Sequence, residues 1–583
     1  MNRDQDIWTE PAVFTTIPDA VTRAHDFYEI QKRQKRKSLA ILGALLVVYV
    51  GAIGFLILAV YLALALPFIA LIPLASWPKF LAAALVLAAV IALVHFKDAR
   101  DNGAEFILKR LGAVAPDPAD RYHLAFLNAV QEIRIAAGLP GVEAHVLPTL
   151  AVNSLALIKP DGTPAVAVTE GLLAEFARDE VEAVVAHELA HIARGDAFVL
   201  TLVCSLANFF ERLRTGLEPD IDDGPEHTSR RGDIGGRSGL LFVAATLASG
   251  VVGMMCLFLS RERELLADAA AVELGRAPDS LARAIYKAHV KNSFVGDFSE
   301  TYAPLFIVAP ESRVEGGRVP RWASSHPPLQ DRLEVLAAMV HKPVRAIIEE
   351  TIRASRRREE AKKIIPAASE LGLPSERTPL SAGRKDWLIE ASDGTAHGPL
   401  TLEELLFFGG FRPSSKVTHA AEGITALASD FPQIREGLRR IRQGRPIDPG
   451  CLNLCPRCRL PLGDVFYEGV PVKVCRTCLG KLVHQAEMDR ILARREVGFS
   501  KVLKAKAEAI RIQLLGTVEG LKRDPRELKS SMLCPSCGYA LRPRPYNYQY
   551  FIPVDKCLSC GEIWFDADEL EILQALVEQA RSD

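Results

Sequence analysis

At 583 residues the chain is too long for one hydrophobic core and must divide into several domains. Seventy basic residues against 71 acidic ones leave a net charge of -1, which argues against a protein devoted to nucleic acid. Nearly half the residues (49%) are hydrophobic although 24% are charged, so apolar blocks must alternate with ordinary polar sequence.

The first 38 residues are polar and read as a cytoplasmic N-terminal segment. From Ser38 to Pro78 no residue is charged, and after Lys79 the apolar run continues to Phe96. A span needs about 20 residues, so 39–96 predicts a hairpin of two transmembrane helices turning at Pro67, Pro73 and Pro78. The basic run "QKRQKRK" (31–37) precedes the hairpin, and Lys97, Arg100, Lys109 and Arg110 follow it. By the positive-inside rule both ends face the cytosol, and the polar start marks an uncleaved anchor.

Residues 97–340 read as one catalytic domain. "VEAHVL" (142–147) and "AVAVT" (165–169) suggest a small sheet, whose edge could align a substrate backbone by strand addition. "DEVEAVVAHELAHIARGD" follows. Asp179 and Glu182 predict an acidic capped start, Val181, Val184, Val185, Leu189 and Ile192 an apolar stripe, and Gly195 a stop. His187 and His191 then share one helix face, where two imidazoles can hold a tetrahedral zinc with Glu188 beside its water. A third ligand is offered by "SRERELLADAAAVELG" (260–275), in which Glu264 and Asp268 lie four apart. Glu264 can reach the zinc, and Asp268 can hold the far ring nitrogen of a ligand histidine. The intervening apolar stretches 197–210 and 239–260, entered as an antiparallel membrane pair, would carry residue 261 back to the face that residue 196 left.

These features, with the N-terminal hairpin, "AVNSLAL", "AVAVTEGLL" and "SHPPLQDRLEVL", resemble the membrane-embedded HtpX-type zinc metalloproteases, gluzincins related to the CAAX prenyl proteases. The resemblance covers roughly 36–340. It implies His187, His191 and Glu264 as zinc ligands, Glu188 as catalytic base and Asp268 as the carboxylate behind a ligand histidine. It also implies Asn153 as substrate-binding, although "NSLA" stands where the family has Asn-Ala-Phe-Ala. The family keeps the "SHPPLQDR" stretch near the site, which makes His326 and Arg332 candidates for oxyanion stabilisation, with Arg332 placed near Glu264 or Asp268 as an orienting charge. A CAAX prenyl protease itself is disfavoured, because that fold encloses a chamber with more spans than this sequence offers.

Beyond the peptidase, 341–383 reads as a charged helical linker. Residues 384–440, with "DWLIEASDGTAHGPLTLEELLFFGGF", resemble the peptide-binding GYF-like modules, though a second tryptophan is missing. Four C-x-x-C pairs follow: Cys455, Cys458, Cys475 and Cys478 in 451–494, and Cys534, Cys537, Cys557 and Cys560 in 531–583, joined by a helical linker over 495–530. Four thiolates in two knuckles close a tetrahedral zinc site and leave no open position for chemistry. The two sets form an internal repeat that resembles the zinc ribbons of transcription factor TFIIB. With 20 basic and 17 acidic residues over 451–583, no basic stripe emerges, so protein recognition is favoured over nucleic acid. Cys204 and Cys256 read as packing residues and Cys451 as a spare thiol.

The expectation is an α+β multidomain membrane protein: a mainly helical gluzincin peptidase with a small sheet and transmembrane helices, then small α+β and zinc-ribbon modules. One catalytic and two structural zinc ions, polypeptide substrates, a lipid bilayer and clients held by the C-terminal modules complete it. The expected setting is the bacterial inner membrane, multi-pass, with catalytic and C-terminal domains in the cytosol, and a role in protein quality control. The competing expectation is an inactive membrane-anchored adaptor.

Overall fold

The computed structural model describes residues 43–44, 46–61, 77–217, 237–291, 302–310, 326–372, 386–390, 394–443, 451–516, 532–547 and 552–580. The expected N-terminal segment, the turn prolines 67 and 73, and residues 517–530 of the expected second linker lie outside them. Two units separate: one built mainly from the chain up to Thr351, the other from 117–122, 148–150 and the chain from Ile352 onward.

In the first unit, helix α1 (Leu46–Tyr61) precedes α2 (Trp77–Arg110). Ala84, Ala88 and Ala92 repeat every fourth residue on the buried side of α2, and Gly54 of α1 approaches Ala88, a small-residue seam that lets two helices pack closely. The opposite side exposes Leu81, Leu85, Val86, Val90, Leu93 and Val94, a surface suited to lipid. Among the described residues one helix, Pro78–Arg110, is long and apolar enough to cross a membrane, and Leu46–Tyr61 is apolar but shorter. The second helix does not stop at Phe96 as expected. It runs on because Ala99, Ala104, Ile107 and Leu108 give it a buried face past the charged turn.

Helix α3 (Arg121–Ala136) leads to a three-stranded sheet of β1 (Glu143–Leu147), β2 (Ser154–Ile158) and β3 (Pro164–Thr169), in the order β1-β3-β2. Strand β3 is central, parallel to β1 and antiparallel to β2, with Ser154 opposite Val168. "AVAVT" is therefore the middle strand, and the edge that runs beside the catalytic helix is β2. That edge is already engaged, since Leu155 bridges to Phe306 and Ser154 accepts the Ile307 N–H. Leu155 and Leu157 face a core shared with Tyr49, Ile107 and Val203, while Ser154 and Ala156 fall on the other face by the two-residue period.

Helix α4 (Glu170–Glu175), capped by Thr169, is followed by α5 (Arg178–Ala193), α6 (Asp196–Leu217), α7 (Arg237–Gly275) and α8 (Pro278–Val290). The cap of α5 differs from the expectation. Ala177 is the N-cap, and Glu180 closes on its backbone N–H at 2.8 Å, while Asp179 turns to Ser280 and Arg283 instead. The helix begins two residues early, which moves the reciprocal position from Glu182 to Glu180. Gly195, at φ +77°, ends α5, and α6 departs at 82°. Helix α5 packs against α7, α8 and β2. Helices α9 (Leu329–Met339) and α10 (Val344–Glu360) complete the order.

The second unit contains β4 (Lys363–Ile365), then β5 (Trp387–Glu390), β6 (Ala396–Leu400), α11 (Leu402–Leu406), β7 (Lys416–His419), β8 (Ile424–Leu427) and α12 (Pro432–Arg442). Strands β6-β5-β7-β8 form one sheet, with Trp387, Leu405, Phe431 and Ile434 as its small core. The cysteine region gives β9 (Gly463–Tyr467), β10 (Val470–Val474), β11 (Lys481–His484), α13 (Met488–Ala493), β12 (Val497–Phe499), α14 (Lys501–Gly516), β13 (Arg542–Pro545), β14 (Pro553–Lys556), β15 (Glu562–Phe565) and α15 (Glu569–Ala580).

Two separate ribbons were the expectation. Instead β11 pairs with β15, so both repeats join in one six-stranded sheet, β13-β14-β15-β11-β10-β9. Pairing through these strands removes two exposed edges at once. The described part of the expected linker, 495–516, is equally integrated: β12 pairs with β4, and Leu503 and Ala507 of α14 pack with Leu573 and Val577 of α15. Residues 117–122 belong to this unit too, with Asp120 paired to the buried Arg494.

Candidate active site

An amphipathic helix was expected for the H-E-x-x-H stretch, but α5 is buried on all sides from Val184 to His191. A helix apolar all round needs no comment in a core, whereas buried imidazoles and a carboxylate must be paired or bind metal. His187 and His191, one turn apart, bring their Nε2 atoms to 3.2 Å. Helix α7 supplies Glu264, whose Oε2 lies 3.5 Å from His187 Nε2 and whose Oε1 lies 3.5 Å from His191 Nε2. The long-range meeting expected of residues 187, 191 and 264 is therefore present.

The donor set fits zinc. With one donor atom taken from each residue the trio lies within 4.8 Å, and the carboxylate turns one oxygen to each imidazole at 3.5 Å, close enough for all three residues to share one ion whose ligand–ligand edges are about 3.3 Å. Two imidazoles and one carboxylate leave the fourth position open, as a hydrolytic zinc requires. The Oε2 atom of Glu264 is buried and lies 3.5 Å from both His187 Nε2 and the Arg332 guanidinium, so the carboxylate is held among positive and metal-ligating groups.

Behind the trio, Asp268 Oδ1 stands 3.0 Å from His187 Nδ1, the far side of the ring. Arg332, on α9, donates to both oxygens of Asp268 at 2.8 and 2.7 Å and to the Ile307 carbonyl at 2.6 Å. Its guanidinium also lies 3.5 Å from Glu264. Arg332 is thus placed beside both carboxylates, the position expected of an orienting charge. His326 is buried, with Nε2 at 2.6 Å from the Phe306 carbonyl, and burial lowers its pKa against the opposing charge of Glu264.

Asn153, expected to meet substrate, is buried with its amide turned into the protein. Its Nδ2 donates to the Val308 carbonyl at 2.8 Å and its Oδ1 accepts the Ser154 N–H at 3.1 Å, which fastens 306–308 along β2. Two further residues enter that the sequence reading passed over. Asp196 sits 4.0 Å from His191 Nδ1 and 3.3 Å from Arg263, and its place directly after the Gly195 stop was the available signal. Ser154 donates to Glu188 at 2.6 Å, at the very position where the chain departs from the family pattern.

The electrostatics describe a cation site. Burial works to lower His187, but hydrogen bonds to Asp268 and Glu264 overcome it and raise the ring to about 9. Burial likewise works to raise Glu264, yet hydrogen bonds from His187 and His191 hold it well below the usual carboxylate range. Glu188 goes the other way: burial raises it, against the pull of His187, His191 and the Ser154 hydroxyl.

The cysteine sets contrast with this arrangement. In each, the four sulfurs lie within 4.8 Å of one another. Neighbouring sulfurs at 3.4 to 3.6 Å approach the edge of about 3.8 Å expected for four thiolates on zinc. Each knuckle ends in a left-handed residue after its second cysteine: Arg459, Leu479, Gly538 and Gly561. That turn aims two backbone N–H groups and two sulfurs inward. Trp564 is buried between the two sets, and a Cβ on Gly480 would meet its ring at 2.2 Å.

Residues 129–340 match the family model "Peptidase family M48", and 533–575 match "Transcription factor zinc-finger", the TFIIB-type ribbon. A "Protease HtpX homolog" of Dictyoglomus turgidum is 31% identical over 255 residues, covering 44% of this chain and 82% of that protein. The homolog of Syntrophobacter fumaroxidans is 34% identical over 212 residues, 36% of this chain and 74% of the relative, and that of Thermoanaerobacter pseudethanolicus is 28% identical over 259 residues, 44% and 84%. No solved structure matches. With its zinc-type donor trio on H-E-x-x-H and this coverage of its relatives, the chain belongs to peptidase family M48 as an HtpX-type zinc metalloprotease.

Proposed function

We propose that His187, His191 and Glu264 hold the catalytic zinc and that Glu188 is the general base of peptide-bond hydrolysis. The observation that carries this reading is the buried trio with edges suited to one tetrahedral ion, one residue removed from a buried carboxylate. A zinc ion bound there supplies Lewis-acid polarisation of a water and of the scissile carbonyl. Glu188 accepts the proton of the attacking water and returns it to the leaving amine. Asp268 holds His187 by its Nδ1, and Arg332 braces Asp268 so that the ring keeps its direction. Asn153 and His326 hold the 306–308 segment beside β2 through the carbonyls of Val308 and Phe306.

The substrates are polypeptides, and the finer setting is part of the proposal. The apolar surface of α2 supports a membrane anchor, extended by α1 and by the stretches 197–210 and 239–260. The basic flanks of the hairpin support a cytosolic site in a bacterial plasma membrane, acting on membrane or misfolded proteins in quality control. The two cysteine sets would hold one structural zinc each, and the ribbons with the GYF-like 384–440 region would engage clients. An inactive adaptor is not favoured, because the trio and Glu188 are all in place.

Casein-type proteolysis with and without chelator, on wild type and Glu188→Gln, tests the reading. The variant is expected to lose about 10²- to 10⁴-fold in kcat while binding zinc as wild type does. Retained activity would refute Glu188 as the base, and chelator-insensitive cleavage would refute the zinc.

A further inference from the structure

Strand β2 begins with a buried hydroxyl that faces the catalytic helix. Ser154 is 0% exposed, and its Oγ lies 2.6 Å from Oε1 of Glu188, a length typical of a hydroxyl bonded to a carboxylate. The strand does not need this hydroxyl to stay in place. The Ser154 N–H donates to Asn153, its carbonyl accepts the Ile307 N–H at 3.2 Å, and the residue pairs across the sheet with Val168. The hydroxyl therefore acts on Glu188 and not on the fold.

A glutamate needs such a partner. Its terminal torsion is broad, so a carboxylate held only by its stem swings through a range of directions. Proton transfer depends on an oxygen lying within hydrogen-bond reach of the water, and small misplacements are costly. One bond from a rigid strand fixes Oε1 and with it the direction of the other oxygen.

We propose that Ser154 is a positioning residue for catalysis, donating its hydroxyl to Oε1 of Glu188 so that the second carboxylate oxygen is presented to the reacting water. This rests on the reading of Glu188 as the base. The effect belongs to the chemical step and leaves both the metal ligands and the substrate contacts unchanged.

Kinetics of the full-length, zinc-loaded enzyme with Ser154→Ala, Ser154→Thr and Ser154→Val test it, alongside zinc content and thermal unfolding. Ser154→Ala is expected to lower kcat about ten-fold with KM changed less than about two-fold, and with zinc content and unfolding temperature as in wild type. Ser154→Thr keeps the hydroxyl and should recover most of the loss, whereas the equally bulky Ser154→Val should not. A Ser154→Ala kcat within about two-fold of wild type overturns the proposal. So does equal loss in the Thr and Val variants, or loss of zinc or stability in Ser154→Ala, either of which makes the residue a packing element. A rise in KM at unchanged kcat also overturns it, by placing the hydroxyl on substrate. An active Glu188→Gln would remove the underlying reading, while an inactive Glu188→Gln beside a fully active Ser154→Ala would remove this inference alone.

Discussion

The trio in the peptidase unit and the cysteine sets in the C-terminal unit solve different problems with the same kind of geometry. The ribbons would close all four positions with soft thiolates drawn from two knuckles, so that a metal there would tie the knuckles of each set together. The trio uses two imidazoles and one carboxylate, leaves a position open, and is embedded in helices that already have an extensive apolar core. Loss of metal should therefore unfold the first kind of region and merely silence the second.

The largest expected effect follows from this contrast. Glu264→Gln should abolish proteolysis and remove one zinc from each chain, leaving hydrogen exchange of α5 and α8 close to wild type. Widespread loss of protection there would make the catalytic metal structural after all. Next comes the shared sheet: Cys534→Ser should cost both ribbon zincs, because β11 and β15 pair and Trp564 lies between the two sets. Zinc counting by native mass spectrometry would refute the coupling if only one ion were lost.

A smaller loss is expected for Asp268→Asn, which keeps the shape but weakens the hold on His187 and the pairing with Arg332. Zinc affinity at the catalytic site should fall about 10- to 100-fold, as read by competition with a chelator. Gly480→Ala sharpens the ribbon side. A Cβ at 2.2 Å from the Trp564 ring should destabilise the C-terminal unit by about 1–3 kcal/mol in denaturant titration.

A pH dependence of comparable size is expected in the C-terminal unit. Burial raises Glu468 to about 7, even though it accepts the N–H groups of Glu496 and Val497. A carboxyl raised in the folded state binds more protons there than when unfolded. Its contribution is complete below the unfolded value and is lost as pH climbs through about 7. Hydrogen exchange of β9 and β10 should report roughly 3 kcal/mol less protection at pH 8 than at pH 4.5, and Glu468→Gln should flatten the change. An unaltered slope in the variant would assign the dependence to another group.

Much of the site was legible before the fold. The four-residue spacing of His187 and His191, and of Glu264 and Asp268, places each pair on one helix face whatever the surroundings, and C-x-x-C makes a knuckle by local turn geometry. The Arg332 contact to both carboxylates was legible only through the family pattern. Illegible were the partners set by side chains from distant elements. Asn153 turned inward to Val308, Glu180 took the capping role, and the hydroxyl of Ser154 met Glu188, none of which leaves a periodic trace.

The sequence by itself determined which donors could bind metal and which helices and turns carry them, because those depend on rises and torsions over a few residues. Only tertiary structure decided that α7 passes beside α5, that β2 lends a hydroxyl to the base, and that two cysteine repeats share one sheet. Those outcomes depend on which buried surfaces and strand edges find each other across long chain separations, and local spacing places no constraint on that choice.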